Sequence, residues 1–203
     1  MRRIAVLLTV IFLILASGIA SAQQTDLSVN AIGAFTNSVT GKGLNETATK
    51  SGGALISFRY FPHQHNGIEV NYAYTKNSQV YTSLSGAPVT SVQSSIHEFT
   101  GAYVYHVTRG ALQPFALAGA GLLSFSPTDS AIKAADPSIS RQTKPAFLYG
   151  AGLDFRATKN MALRAQYRGF IYQAPDFYGD QYALHTGSVM QMGEGAVGLV
   201  YRF

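Results

Sequence analysis

Val197-Gly198-Leu199-Val200-Tyr201-Arg202-Phe203 is the stretch of sequence that decides the fold. Apolar side chains recur in it at every second position up to Phe203, and Arg202 falls on the other parity. Neighbouring side chains of a β-strand point to opposite faces, so this alternation predicts a strand with one apolar face. An aromatic residue completes that face at the last position.

The opposite end of the sequence has the three parts of a secretory signal peptide. Met1-Arg2-Arg3 is a positive n-region, residues 4–16 form an apolar h-region, and Ala20-Ser21-Ala22 is an A-x-A cleavage site. The apolar run is shorter than the ~20 residues that a transmembrane helix needs. We therefore predict that residues 1–22 are removed and that residues 23–203 form one exported domain.

Composition excludes several classes of function. The formal net charge of +5 falls to +3 once Arg2 and Arg3 leave with the signal peptide, and the remaining basic residues are scattered singly. A nucleic-acid partner is not expected, because nucleic-acid surfaces cluster basic residues on one face. The chain has no cysteine, so disulfides and thiolate metal sites are unavailable.

Eight segments of alternating character follow the signal peptide, and none is apolar for long enough to be a membrane helix. Their lengths of roughly ten residues match a tilted transmembrane strand. The fifth segment is apolar on both parities, which leaves its inward face open. The predicted strands are residues 26–36, 52–61, 67–76, 94–106, 113–126, 146–156, 161–172 and 189–203.

The connections between these segments alternate between long and short. The long ones are residues 37–51, 77–93, 127–145 and 173–188, and the short ones are residues 62–66, 107–112 and 157–160. Outer-membrane barrels have short periplasmic turns and long extracellular loops, with both termini periplasmic when the strand number is even. The order predicts an all-β fold, an eight-stranded antiparallel up-and-down transmembrane β-barrel.

Eight charged residues in the cores of the predicted strands have the parity opposite to the aromatic and large aliphatic residues. An arginine at the bilayer midplane costs about 2 to 4 kcal/mol on the lipid face, so a charged outer face would be heavily penalised. A lipocalin-type soluble barrel would reverse the two faces, but the uniform, aromatic apolar face favours contact with lipid. The predicted interior polar network is Arg59, Glu69, Glu98, Asp154, Arg164, Arg168, Glu194 and Arg202.

The whole mature chain resembles the small OmpA/OmpX-type outer-membrane barrel family. The resemblance is carried by the Tyr60-Phe61-Pro62 turn before Gly67-Ile68-Glu69-Val70, by Gly119-Ala120-Gly121 and by the Tyr201-Arg202-Phe203 ending. It implies the bacterial outer membrane, with lipid and lipopolysaccharide around the barrel. It also implies that the barrel-assembly machinery recognises a C-terminal signature, here Leu199, Tyr201 and Phe203. A peptidoglycan-binding domain, which often follows such barrels, is not expected.

Two short motifs suggest chemistry, and each has a simpler interpretation. Gly193 to Gly198 spell G-x-G-x-x-G, but a dinucleotide site needs a strand before the motif and a helix after it, and these glycines fall inside the last strand. His63 and His65 lie two apart without a third ligand nearby, which makes a poor metal site. We expect no catalytic, cofactor or metal site.

An enzymatic alternative rests on His185, Ser188 and Glu194, which resemble the His, Ser and Glu set of outer-membrane lipid A deacylases. In the deacylases the His and Ser are two apart, whereas His185 and Ser188 are three apart and would face opposite ways on a strand.

The long loops are the natural place for binding. They carry Tyr81, Phe177, Tyr178 and Tyr182 among small polar residues. The hypothesis is a monomeric, non-enzymatic barrel with a structural or surface-interaction role through its four extracellular loops. The alternatives are a narrow solute channel and a lipid A-modifying enzyme.

Overall fold

The computed structural model describes residues 24–41, 44–83, 88–108, 110–128, 141–175, 177–178, 183–184 and 188–203. The predicted signal peptide and His185 lie outside these residues. No helix in this part of the chain is long and apolar enough to cross a membrane. The described strands are β1 (Gln24–Thr36), β2 (Val39–Gly41), β3 (Leu44–Ala48), β4 (Ser51–Phe61), β5 (Asn66–Ser83), β6 (Pro88–His106), β7 (Leu112–Pro127), β8 (Gln142–Arg156), β9 (Met161–Gln173), β10 (Phe177–Tyr178), β11 (Ala183–Leu184) and β12 (Val189–Arg202).

Eight long strands close into an antiparallel barrel, as predicted. Around the barrel the order is β1, β4, β5, β6, β7, β8, β9 and β12, and the pairing of β1 with β12 closes it. Each strand otherwise pairs with its neighbour in the chain, which makes the topology up-and-down. Every predicted strand corresponds to one of these eight, and the bounds differ mainly at the ends joined by long connections.

Three of the predicted long loops contain further β-structure, since the fourth holds the paired two-residue strands β10 and β11. β2 and β3 form a hairpin inside the first, and β3 pairs with the end of β5. β5 and β6 run on past the barrel as a hairpin whose last pairs join residues 78–82 to residues 88–93. These segments carry Ser, Thr, Gln and Asn without a clean alternation of apolar residues. The sequence pattern did not predict these strands. Alternation of apolar and polar residues marks a strand with one buried or lipid-facing surface, and a protruding hairpin does not need such a surface.

The two faces of the barrel differ as the alternation predicted. Outward-facing aromatic residues such as Phe99, Tyr103 and Phe155 are 50 to 57% exposed. The structure also resolves the phase of the fifth predicted strand, β7. Its Phe115, Leu117, Leu123 and Phe125 are buried inside the barrel, and its Leu112 and Leu122 face outward.

The barrel has two ends. The short-turn end holds the three short connections, the start of β1 and the end of β12, and the long-loop end lies opposite. Apolar side chains fill the interior toward the long-loop end. We call this group the long-loop plug, and its members are Ile96, Leu123, Phe125, Leu148, Phe170, Tyr172, Met190 and Met192, all at most 4% exposed. An eight-stranded barrel is just wide enough for side chains to fill it, and here polar side chains, together with apolar ones such as Leu55, Phe115 and Leu117, occupy the interior below the plug.

Candidate functional site

The eight charged residues assigned to the interior by parity lie inside the barrel. Each is between 0 and 3% exposed. Four ion pairs join residues that stand directly opposite each other on neighbouring strands, so the sheet register brings the opposite charges together. The four pairs are Arg59 with Glu69, Arg164 with Asp154, Arg168 with Glu194 and Arg202 with Asp26.

A balanced network of three arginines and three carboxylates fills the short-turn end. We call it the short-turn cluster, and it comprises Asp26, Arg59, Glu69, Asp154, Arg164 and Arg202. Asp154 is its centre: Arg164 donates to both of its oxygens, Nε to Oδ1 at 2.7 Å and Nη2 to Oδ2 at 2.8 Å. Arg202 Nη2 also donates to Asp154 Oδ2, at 3.3 Å.

Other interior side chains complete this network. Arg202 donates to Gln113 Oε1 at 2.8 Å, and Arg59 donates to Gln166 Oε1 at 3.3 Å. The Arg59 guanidinium also stacks over the ring of Phe115, 4.0 Å from its centroid. An arginine over an aromatic face gains a cation–π attraction that is largest when water is excluded. Phe115 therefore links the charged cluster to the apolar wall of β7.

A second group of charges lies in the middle of the barrel, one inward position below the long-loop plug. We call Glu98, Arg168 and Glu194 the mid-barrel triad. Arg168 reaches Glu194 Oε2 through Nη1 at 2.9 Å and Glu98 Oε2 through Nη2 at 3.2 Å. The ring of Phe170, a member of the plug, lies 4.9 Å from the Arg168 guanidinium. One arginine thus bridges two carboxylates from β6 and β12.

Three interior residues were missed by the sequence reasoning. Asp26 has the inward parity of Ser28 and Asn30, but it lies at the start of its strand. His106 has the inward parity of Val104 and is fully buried, with Nε2 at 3.9 Å from Asp154 Oδ2. Gln113, at the start of β7, is buried as well. Extending the parity rule to the strand ends would have found all three.

The outside of the described barrel has an unbalanced charge. All six carboxylates in the described ranges are buried: Asp26, Glu46, Glu69, Glu98, Asp154 and Glu194. The exposed charged side chains in the same ranges are all basic: Lys50, Lys76, Arg141, Arg156 and Lys159. Asp129, Asp136, Asp176 and Asp180 fall outside the described residues. Burying the carboxylates inside the barrel therefore leaves its described surface basic.

Two of these lysines, Lys50 and Lys76, lie at the long-loop end. The pairing of Ala48 with Gln79 and that of Gly53 with Thr75 differ in register by one residue. Lys50 lies in the two-residue break between β3 and β4, where residues 49–52 face only residues 76–78 of β5, the strand that carries Lys76.

Aromatic residues continue this surface along β5 and β6. Tyr74 follows the outward parity of Lys76, and its ring lies 5.1 Å from the ring of His97. His97 Nδ1 is 3.0 Å from the Tyr72 hydroxyl oxygen. We call Lys50, Lys76, Tyr74 and His97 the lysine patch. Its composition, basic residues next to a band of outward tyrosines, is typical of a membrane–water interface.

The residues of the enzymatic alternative are engaged elsewhere in the described part of the chain. Glu194 belongs to the mid-barrel triad, and Ser188 donates its hydroxyl to the carbonyl oxygen of Thr40 at 3.0 Å. Six residues of extended chain, about 20 Å, separate Ser188 from Glu194. The described residues bring no pair of this set together.

The other two motifs also have structural explanations. The glycines of the G-x-G-x-x-G sequence lie within β12, and a Cβ on Gly198 would collide with the carbonyl oxygen of Val29 on β1. His65 Nδ1 lies 2.7 Å from the carbonyl oxygen of His106, which ties the first short turn to β6. Within the described ranges, no three His, Cys, Asp or Glu side chains form a group that could hold a metal ion.

The end of the chain presents its apolar face outward. Leu199, Tyr201 and Phe203 are 54, 47 and 67% exposed. The rings of Tyr201 and Phe203 meet edge to face, with centroids 4.9 Å apart. Phe203 donates its backbone N–H to the carbonyl oxygen of Thr25 at 2.9 Å, which holds the last residue against β1.

Comparisons with known proteins agree with this architecture. The outer membrane protein beta-barrel domain family matches residues 7–203. OprG of Pseudomonas aeruginosa is similar in structure, with a TM-score of 0.67 at 14% identity over 90% of this chain and 96% of that one. Neisserial surface protein A has a TM-score of 0.59 at 18% identity, over 88% of this chain and 97% of that one.

A third similar structure is Ail, the attachment invasion locus protein of Yersinia pestis, in complex with the heparin analogue sucrose octasulfate. Its TM-score is 0.55 at 17% identity, over 90% of this chain and 99% of that one. No protein with a curated description matches the sequence. At these identities the structural matches show the fold alone.

Proposed function

The chain belongs to the outer membrane protein beta-barrel domain family, and from that membership we propose a non-enzymatic, surface-interaction role at its long-loop end. The protein is a barrel of the bacterial outer membrane, and in such barrels the short turns face the periplasm and the long loops face outward. The long-loop end is therefore the surface that meets lipopolysaccharide and the outside of the cell.

The observation that carries the proposal is the lysine patch. Lys50 and Lys76 are exposed on the outer face at the long-loop end, and every described carboxylate is buried. Each lysine close to an anionic lipid surface contributes about 1 kcal/mol of attraction. We propose that the patch binds an anionic saccharide, either a phosphorylated sugar of lipopolysaccharide or a sulfated polysaccharide. The complex of Ail with a heparin analogue supports the sulfated polysaccharide.

The protruding hairpin of β5 and β6 supports a role in surface contact. It extends the sheet beyond the barrel, and in the described residues its 88–92 segment pairs with β5 alone, while the Gln93 carbonyl oxygen accepts from the Thr128 backbone N–H. A strand edge of this kind presents backbone N–H and C=O groups to the surroundings. The hairpin places such an edge beside the lysine patch, on the outward side of the membrane.

The proposal also includes the partners implied by the family. We propose that the barrel is a monomer surrounded by lipid and lipopolysaccharide. Leu199, Tyr201 and Phe203 serve as the signature that the barrel-assembly machinery recognises during insertion. Their support is the exposed, continuous apolar face that they form at the end of β12.

Binding to purified lipopolysaccharide and to heparin tests the proposed partner. The double variant Lys50→Gln/Lys76→Gln is expected to bind the true ligand at least tenfold more weakly than the wild type, because it lacks both cationic contacts of the patch. Isothermal titration of the detergent-folded protein against each ligand measures the effect. The ligand that shows this loss is the one bound at the patch.

The matched control removes the same charge at the other end of the barrel. Arg156→Gln/Lys159→Gln also lowers the net charge by two, but its residues lie at the short-turn end. It should bind like the wild type. Equal weakening by both double variants would show general charge attraction and contradict the proposed patch.

A further inference from the structure

A groove runs along the lipid-facing surface of β8, β9 and β12. Its lower part, toward the short-turn end, has a volume of about 580 Å³ and lies among Phe155, Leu163 and Leu199. A second part of about 610 Å³ adjoins it toward the middle of the barrel, beneath Tyr167. The two parts share Leu153, Ala165 and Val197 in their walls. Together the two parts form one apolar groove that is open to the membrane.

The depth of the groove matches one leaflet. Its outward side chains form three successive rows across the sheet, the first containing Leu163, the second Ala165 and the third Tyr167. Two residues of a strand span about 6.6 Å, and a tilt near 40° reduces this to about 5 Å of membrane depth per row. Three rows cover about 15 Å, half of the ~30 Å hydrocarbon core.

A basic pocket lies at the rim of the short-turn end, one outward row below the groove. It has a volume of about 370 Å³ and is lined by Gln24, Arg156, Lys159, Asn160, Arg202 and Phe203. Arg156 and Lys159 are exposed, and no described Asp or Glu side chain lies on the surface beside them, because all of these are buried. Phe203 continues the outward apolar face of Leu199, which also lines the groove. The outward row of Met161 and Tyr201 lies between the pocket and the groove.

We propose that this groove and pocket bind one anionic phospholipid of the periplasmic leaflet. The lipid phosphate lies between Arg156 and Lys159, and one acyl chain fills the groove up to Tyr167. A second copy of the chain is a poorer occupant, because a two-fold contact through this face would bring the two basic pockets together. Lipopolysaccharide belongs to the opposite leaflet, next to the lysine patch.

Native mass spectrometry of the detergent-folded protein tests this site with two probes, dioleoyl phosphatidylglycerol and dioleoyl phosphatidylethanolamine. The wild type is expected to retain one phosphatidylglycerol with at least a tenfold preference over phosphatidylethanolamine. Arg156→Gln/Lys159→Gln should abolish the preference. Ala165→Phe fills the groove from an exposed position and should reduce phosphatidylglycerol retention at least fivefold.

Two control variants keep the outcome specific. Lys50→Gln/Lys76→Gln removes the same charge at the opposite end, and Ala120→Phe adds the same ring on the lipid face of β7, away from the groove. Both should retain phosphatidylglycerol like the wild type. Heat-modifiable gel migration verifies that every variant is folded before it is scored.

Four results would overturn the proposal. The first is equal retention of the two lipids by the wild type, and the second is an unchanged preference in Arg156→Gln/Lys159→Gln. The third is unchanged phosphatidylglycerol retention in Ala165→Phe, which would show that the acyl chain does not lie in the groove. A lipid-free dimer that Ala165→Phe dissociates would identify a second copy as the occupant and would also overturn it.

Discussion

Arg164→Ala is expected to lower the free energy of unfolding by about 3 to 5 kcal/mol, the usual cost of removing one partner from a buried ion pair. Arg164 is 2% exposed and donates to both carboxylate oxygens of Asp154. Its Nη1 and Nη2 also lie 3.8 Å from Glu69 Oε2 and 3.9 Å from Asp26 Oδ2. The alanine variant leaves three buried carboxylates facing only two arginines.

Guanidinium unfolding of the protein in lipid vesicles measures this loss. Arg141→Ala is the matched control, because Arg141 is exposed and its side chain donates to the Ser126 hydroxyl. A surface substitution of this kind changes stability by no more than about 0.5 kcal/mol. Similar losses in the two variants would show that the short-turn cluster does not hold the interior together.

Val70→Arg is expected to lower the free energy of unfolding by about 2 to 4 kcal/mol, because it puts a charge on the lipid face near the bilayer midplane. Val70 is 62% exposed, and its neighbours Glu69 and Asn71 are buried at 1 and 2% exposure. Val70 lies between two outward tyrosines. Tyr105, which pairs with Asn66 at the start of β5, is near one membrane interface, and Tyr74 is near the other. The same arginine one residue away would point into the barrel.

Val189→Arg provides the comparison for this variant. Val189 is 67% exposed but stands at the first position of β12, at the long-loop rim. An arginine near the interface costs about 0 to 1 kcal/mol. If the two valine variants lose equal stability in vesicles, the described outer face does not lie in lipid with Val70 at depth.

Much of the barrel could be predicted because a membrane imposes its pattern on every residue of a spanning strand. Lipid on one side and a polar interior on the other enforce an alternation of apolar and polar residues. The positions of the strands, and the face on which each side chain lies, therefore follow from whether a residue is at an odd or an even position. The pairs Arg59 with Glu69 and Asp154 with Arg164 follow too, because each pair straddles a short turn whose length sets the register.

Contacts across the barrel were beyond such reasoning. Arg168 meets Glu98 from a strand that is not its neighbour, and that contact depends on how the closed sheet tilts and staggers. The hairpin of β2 and β3 was missed because no lipid face shapes its sequence. The lysine patch was missed for another reason: Lys50 falls in the predicted loop of residues 37–51 and Lys76 at the last position of a predicted strand, where the facing of charged residues was not considered.

The packed interior separates this proposal from the solute-channel alternative. Arg59, Arg164 and Arg168 occupy the polar part of the barrel at no more than 2% exposure, and the long-loop plug occupies the rest. A role carried by the outer surfaces requires that this filling persists in a membrane. We therefore expect the folded, reconstituted protein to give no resolved current steps in a planar lipid bilayer. Stable, reproducible openings from the wild-type barrel would contradict a filled interior and favour the channel.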